Sequence, residues 1–138
     1  AVGPRMTEVA GEVADGVIIH AFTNEKYLRE TTLPALERGF EKAGKSRSDF
    51  QISYPAFVVT GSTEEEVKKA DLLTRWQIAF YGSTPGYECM FEHHGYDGLG
   101  EALNGLQRKG DIFKYRQVID QVKRLENVAN VFVADLVL

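Results

Sequence analysis

Residues 3–20 read GPRMTEVAGEVADGVIIH. The glycine–proline pair forms a turn, and the chain runs from it directly into a helix pattern. Met6, Val9, Ala10 and Val13 recur at helical spacing and predict one apolar face. Asp15-Gly16 then stops the helix, and Val17-Ile18-Ile19 reads as a short buried strand. Helix followed at once by an apolar strand is the return half of a β/α unit. A strand should precede Gly3, so the expectation is a chain entered partway through a fold.

Working outward, His20 to Asn24 follow the strand, and Thr23 or Asn24 can cap a helix starting near Glu25. Tyr27, Leu28 and Thr31 are its expected inner stripe. Pro34 predicts a kink near Thr32-Leu33 and a fresh helix whose first turn it suits. Leu36, Phe40 and Ala43 continue the apolar face, and Gly44 is the expected C-terminal cap. Phe50 to Thr60 is a second strand region. Pro55 cannot donate to a ladder, so the strand is expected at Ala56–Thr60 or bulged at Pro55. Ser62 with Glu65, or Thr63 with Glu66, makes a capping box for a long helix. That helix should run to about Tyr81 and bury Val67, Ala70, Leu72, Leu73, Trp76, Ala79 and Phe80. An aromatic segment, GYECMFEHHGY, follows at residues 86–96. Helices are expected at Asp97–Arg108 and Ile112–Leu125, and an apolar terminal strand at Val128–Leu138. The alternation predicts an α/β fold with parallel strands, covering helices and a helical excursion.

The chain has 138 residues, 43% hydrophobic and 26% charged, enough for one domain with a real core. A net charge of −4 without a basic cluster argues against nucleic-acid binding. No run reaches membrane-spanning length, and the expectation is no signal peptide and a cytoplasmic location. A single cysteine, Cys89, excludes an internal disulfide and a multi-cysteine metal site.

Four groups of residues could carry chemistry. The Gly3-Pro4-Arg5 turn opens a helix whose free N–H groups and positive dipole end suit a phosphate, unless it is merely a tight turn. His20, at a strand end, could hydrogen-bond a ligand or move a proton, unless it packs under a loop. Thr60, Gly61 and Ser62 offer hydroxyls and amides, although Ser62 serves equally as a helix cap. His93 and His94, with Glu88 and Glu92, suggest a metal. Adjacent histidines on a helix diverge, however, so no metal site is expected. Tyr81, Tyr87, Phe91 and Tyr96 are expected to form an aromatic lid or local core, and Cys89 an idle thiol.

Taken in order, GPRMTEVAGEVADGVIIHAF, YLRETTLPALERGFEKAGK, AFVVTGSTEEE and FYGSTPGYECMFEHHGYDGLGEAL resemble the luciferase-like monooxygenase superfamily. The branch they are most similar to comprises oxidoreductases that use coenzyme F420, a deazaflavin. The resemblance covers residues 1–110, whereas residues 111–138 diverge. It implies a partial (β/α)8 TIM barrel: the C-terminal half, as one incomplete domain over residues 1–138. It also implies hydride transfer between F420, or alternatively FMN, and a small organic substrate. Gly3, Pro4, Arg5 and Met6 would lie against the phosphate-bearing tail, and His20 would be the candidate catalytic residue. A half-barrel leaves sheet interior uncovered, which implies a homo-oligomer or a complementary N-terminal half. Much of the ring pocket in such enzymes comes from the first four strands, so the chain alone is expected to be inactive. The competing readings are a non-catalytic half-barrel that self-associates through its apolar strands, and a small-molecule binding module.

Overall fold

A glycine in a conformation that side chains rarely adopt starts the first helix. Gly3 (φ 76°) precedes α1, Pro4–Val13, with Pro4 in its first turn. The Thr7 hydroxyl and the Thr7 amide both donate to the Gly3 carbonyl, at 2.9 and 3.2 Å, fixing the turn. The computed structural model describes residues 1–109, so the expected helix at Ile112–Leu125 and the strand at Val128–Leu138 lie outside the described residues. The chain divides into two units, Ala1–Ala56 and the residues from Phe57 onward.

In the first unit, α1 is followed by β1 (Gly16–Ile18), α2 (Glu25–Tyr27), α3 (Leu33–Ala43) and β2 (Gln51–Ser53). The strands pair in parallel, with Gly16 opposite Gln51, Val17 opposite Ile52 and Ile18 opposite Ser53. The second strand therefore lies ahead of Pro55, not at Ala56–Thr60 as expected. With no N–H at Pro55, the chain beyond it cannot extend the ladder regularly. This is an α/β arrangement of a parallel pair with flanking helices.

The apolar face expected on α1 is turned outward. Thr7 and Gly11 are buried, whereas Met6 is 61% and Val13 71% exposed. The reason is backbone proximity to α3. A Cβ on Gly39 would lie 2.2 Å from the Glu8 carbonyl oxygen, and one on Gly11 would lie 2.6 Å from that of Leu36. The helices approach so closely that only glycine fits at the crossing, and the surrounding face goes inward with it. Glu8 then accepts from Arg38 Nε at 2.9 Å and pairs with Lys42.

Asn24 caps α2, its Oδ1 accepting from the Tyr27 amide at 2.9 Å. A single wide turn, Leu28–Thr32, joins α2 to α3, and the Leu33 amide reaches back five residues to the Leu28 carbonyl. Pro34 has no N–H for the Glu30 carbonyl, so the expected kink takes this form. The extra residue moves Thr32, rather than Thr31, into the interior. Gly44 (φ 64°) ends α3 as a left-handed cap. Ala43 is exposed, contrary to expectation, because it falls in the last turn beyond the packed segment. Leu36, Phe40 and Phe50 form the core here, with the Phe40 and Phe50 rings 4.9 Å apart.

In the second unit, α4 (Glu64–Gly82) begins with the capping box Thr63–Glu66. The Glu66 amide donates to Thr63 Oγ1 and the Thr63 amide to Glu66 Oε2, both at 3.2 Å. Of the face expected to be buried, Ala79 is inside, but Val67, Leu72, Leu73, Trp76 and Phe80 are exposed. Thr74, Ile78, Ala79 and Gly82 face inward instead. Gly82 makes room for an aromatic ring: a Cβ there would meet Phe91 at 2.4 Å. A tight turn at Pro85–Tyr87 leads to α5 (Glu88–Glu92), and α6 (Leu99–Arg108) follows Gly98 (φ 77°). Among the described residues of this unit, Met90, Phe91 and Leu103 are the most deeply buried large side chains, with Ile78 beside them in the core. Ser83, also buried, ties α4 to α6: its carbonyl accepts from Asn104 Nδ2 at 2.8 Å, and its hydroxyl lies 2.7 Å from Gln107 Oε1.

Candidate functional site

Two parallel strands joined through helices put both strand C-termini at one edge, where α/β folds collect their functional groups. In the first unit that edge holds residues 19–24 after β1 and Tyr54 after β2. Helix α1 runs opposite to β1, so its first turn lies at the same end. The Ala1 nitrogen lies 3.4 Å from the Ile18 carbonyl oxygen there. The expected site residues Gly3, Pro4, Arg5 and Met6 therefore share an edge with His20.

Each contributes something different. Gly3 supplies the positive φ, and the position a Cβ would occupy opens on empty space. Pro4 has no N–H, and the Thr7 amide is already bonded to Gly3. The amides of Arg5 and Met6 are then the ones left at the helix start. The Arg5 and Met6 side chains are exposed, so a guanidinium stands at the positive end of the helix dipole.

His20 is half-buried, and its Nδ1 accepts from the Phe22 amide at 3.0 Å. An amide can only donate, so neutral His20 carries its proton on Nε2. Burial holds the imidazole below its ordinary pKa. His20 is thus a neutral Nε2–H donor at neutral pH, its Nδ1 already engaged.

Beside it lie groups the sequence did not point to as a site. The Tyr54 hydroxyl donates to the Thr23 carbonyl, and burial pushes its phenol above the ordinary tyrosine value. Thr23 and Asn24 are buried polar residues. Asn24 could be read in advance as a cap. Tyr54 could not, because alternation with Phe50 and Ile52 made it a strand residue.

In the second unit, Thr60, Gly61 and Ser62 are exposed, and the Ser62 amide donates to Glu66 Oε2 at 2.7 Å. Thr63, not Ser62, is the helix cap. His94 Nδ1 lies 2.8 Å from the Met90 carbonyl, and the two histidine rings meet edge to face. Among the described residues no group of three or more His, Cys, Asp or Glu could hold a metal ion. Phe91 is core, whereas Tyr81 and Tyr87 are half-buried, edge to face at 6.2 Å. Burial, with Tyr81 adding to it, raises the Tyr87 phenol. Cys89 is half-buried. A cavity of about 400 Å³ is lined by Pro85, Glu88, Glu92, Gly98, Gly100, Glu101 and Asn104. Its three carboxylates would repel a phosphate, so the anion-binding features belong to the start of α1. No described helix is long and apolar enough to cross a membrane.

A sequence model of the luciferase-like monooxygenase family matches residues 1–129, and the chain belongs to that family. An uncharacterized protein of Mycobacterium tuberculosis is 45% identical over 111 residues, which span 80% of this chain and 33% of that protein. The 5,10-methylenetetrahydromethanopterin reductase of Archaeoglobus fulgidus is 32% identical over 117 residues, 80% of this chain and 33% of the reductase. That of Methanopyrus kandleri is 33% identical over 125 residues, covering 88% and 33% respectively. The chain thus spans about a third of the length of the curated relatives it matches.

Proposed function

We propose that this chain is the C-terminal half of the (β/α)8 barrel of a cytoplasmic, coenzyme F420-dependent oxidoreductase acting on a small organic substrate, with FMN as the alternative cofactor. Family membership and the reductase relatives support this reading. The observation that carries the cofactor assignment is the open start of α1. A positive-φ glycine, a proline, two amides and an exposed arginine converge at one helix N-terminus beside a strand edge. Those groups fit a phosphate-bearing tail.

When bound, the deazaflavin supplies the hydride chemistry. The residues of this chain hold and orient. The Arg5 and Met6 amides and the Arg5 guanidinium take the tail phosphate, and Gly3 gives the backbone its approach. His20 is the candidate catalytic residue, placed at the strand edge where a substrate would sit. Tyr54, through Thr23, fixes the loop that carries it. The reductase relatives make a methylene-bearing reduced pterin the first substrate to try.

The chain by itself is expected to be inactive, because the ring pocket needs strands outside it. A complementary N-terminal half would cover exposed Val58, Leu73 and Trp76. One observation favours the second reading, a non-catalytic half-barrel that self-associates through its strands: Ile18, on β1, is 71% exposed.

The test is fluorescence titration of the full-length protein of the parent gene with F420 and with FMN. Binding should weaken about tenfold in Arg5→Ala, the loss of one charge-assisted contact. Gly3→Val should weaken it as well, by forcing the turn out of its positive-φ geometry, which a β-branched residue does not adopt. Binding of neither cofactor by the intact protein would refute the oxidoreductase reading.

A further inference from the structure

The ladder between β1 and β2 ends where the Ile19 amide donates to the Ser53 carbonyl, at 2.9 Å. Beyond it, residues 20–24 run to α2 without strand pairing, yet Phe22, Thr23 and Asn24 are buried. Side chains take over the holding. The Phe22 amide donates to His20 Nδ1 at 3.0 Å, the Tyr54 hydroxyl to the Thr23 carbonyl, and the Tyr27 amide to Asn24 Oδ1. The last two bonds do not change near neutral pH. An amide side chain does not titrate, and burial keeps the Tyr54 phenol protonated. The first bond does change. Nδ1 accepts only while it keeps its lone pair; protonated, it becomes a second N–H aimed at the N–H of Phe22. A bond is then replaced by a repulsion, beside a ring that is 1% exposed.

We propose that His20 Nδ1 and the Phe22 amide form a proton-sensitive latch on the segment joining β1 to α2, closed with the imidazole neutral and open with it protonated. The half-buried position of the ring favours the closed form, since burial lowers its pKa. In the open segment the ring returns to water and to about pH 6.5. Above that pH both forms are neutral, and opening has no proton dependence. Below it the open form binds the proton more readily. Opening then rises by up to about tenfold per pH unit, until the folded value is passed. The other charged or titratable groups at this edge are Arg5 at the start of α1, Glu25 and Lys26 on α2, with Glu25 paired to Arg29, and Tyr54 after β2. Histidine alone among side chains ordinarily changes charge between about pH 5 and 8. The Ala1 nitrogen near the Ile18 carbonyl is neutral wherever a residue precedes it. The latch is local: it frees residues 20–24 and leaves the core of Leu36, Phe40 and Phe50 in place. It requires no cofactor. Only its consequence for turnover, a loosened candidate catalytic residue in acid, rests on the oxidoreductase reading.

Hydrogen–deuterium exchange of the full-length protein of the parent gene, without cofactor, tests it across about pH 7.5 to 5. Mass spectrometry follows peptides covering residues 20–24 and, as reference, residues 36–40, with each rate divided by the intrinsic rate at that pH. Protection of residues 20–24 should fall by up to about tenfold per pH unit below about 6.5, while residues 36–40 keep theirs. His20→Asn supplies an oxygen that accepts from the amide two residues on and cannot be protonated, so protection should stay high and flat. His20→Ala removes the acceptor, so protection should be low and flat. Tyr54→Phe should lower protection at every pH and leave the slope unchanged. Circular dichroism confirms that each variant folds, and the slope of the parent needs no variant. A parent whose residues 20–24 show no slope overturns the proposal. So does a slope that survives in His20→Asn, because another group then titrates, and so does a parallel fall at residues 36–40, because the opening is then global. Failure to bind F420 or FMN sinks the oxidoreductase reading and leaves the exchange result as it stands.

Discussion

Replacing Gly39 by alanine probes the closest contact in the first unit. The new Cβ would lie 2.2 Å from the Glu8 carbonyl oxygen, 2.8 Å from the Glu12 amide nitrogen and 2.9 Å from the Gly11 carbonyl carbon. All three are backbone atoms, so no side chain can rotate out of the way. Relief requires α1 and α3 to separate, which also loosens Gly11 against Leu36 and stretches the 2.9 Å bond from Arg38 to Glu8. Overpacking of this kind costs about 1–3 kcal/mol, and a clash with rigid backbone belongs at the upper end. Alanine returns about 1 kcal/mol of helix propensity. The net loss is then about 2 kcal/mol, a fall in melting temperature on the order of 10 °C. The control is Gly105→Ala in α6, where a Cβ meets nothing within 4 Å and propensity alone acts. Thermal unfolding followed by far-ultraviolet circular dichroism should show Gly39→Ala melting lower and Gly105→Ala slightly higher than the parent. If Gly39→Ala melts at or above the parent while the control behaves as stated, the close crossing of α1 and α3 is wrong.

Two further outcomes follow from the strand edge. Tyr54→Phe removes the hydrogen bond to the Thr23 carbonyl and leaves that acceptor half-buried; denaturant unfolding should register a loss of about 1 kcal/mol, and an unchanged midpoint would show the bond contributes nothing. His20 is held below its ordinary pKa mainly by burial, so the unfolded chain binds its proton more readily than the folded one. Its stabilising contribution is full above about pH 6.5 and is lost as pH falls through the depressed folded value. Stability measured across that window should decline toward acid and decline less in His20→Gln; equal slopes would remove His20 as the cause.

What could be read in advance was whatever is decided within a few residues. Asn24 and Thr63 cap helices because their side chains reach amides three positions on. Gly44 ends α3 because it tolerates φ 64°, and Pro34 forces an irregular turn because it lacks an N–H. The packing faces could not be read this way, for one physical reason. Periodicity finds helices by their large apolar residues, yet α1 and α4 turn inward the sides that carry Gly11 and Gly82. Glycine gives no hydrophobic signal, but it permits an approach that large side chains prevent, and the bulky stripes are then left outside. The same distinction governs the candidate site. His20 could be anticipated because it follows an apolar strand. Tyr54 could not, since its role comes from a hydroxyl meeting the carbonyl of Thr23, thirty-one residues away along the chain. The exposed stripes of α1 and α4 are apolar surface left over once the glycine contacts within this chain have chosen the inner face, and in a longer protein they are where further elements of the barrel would pack.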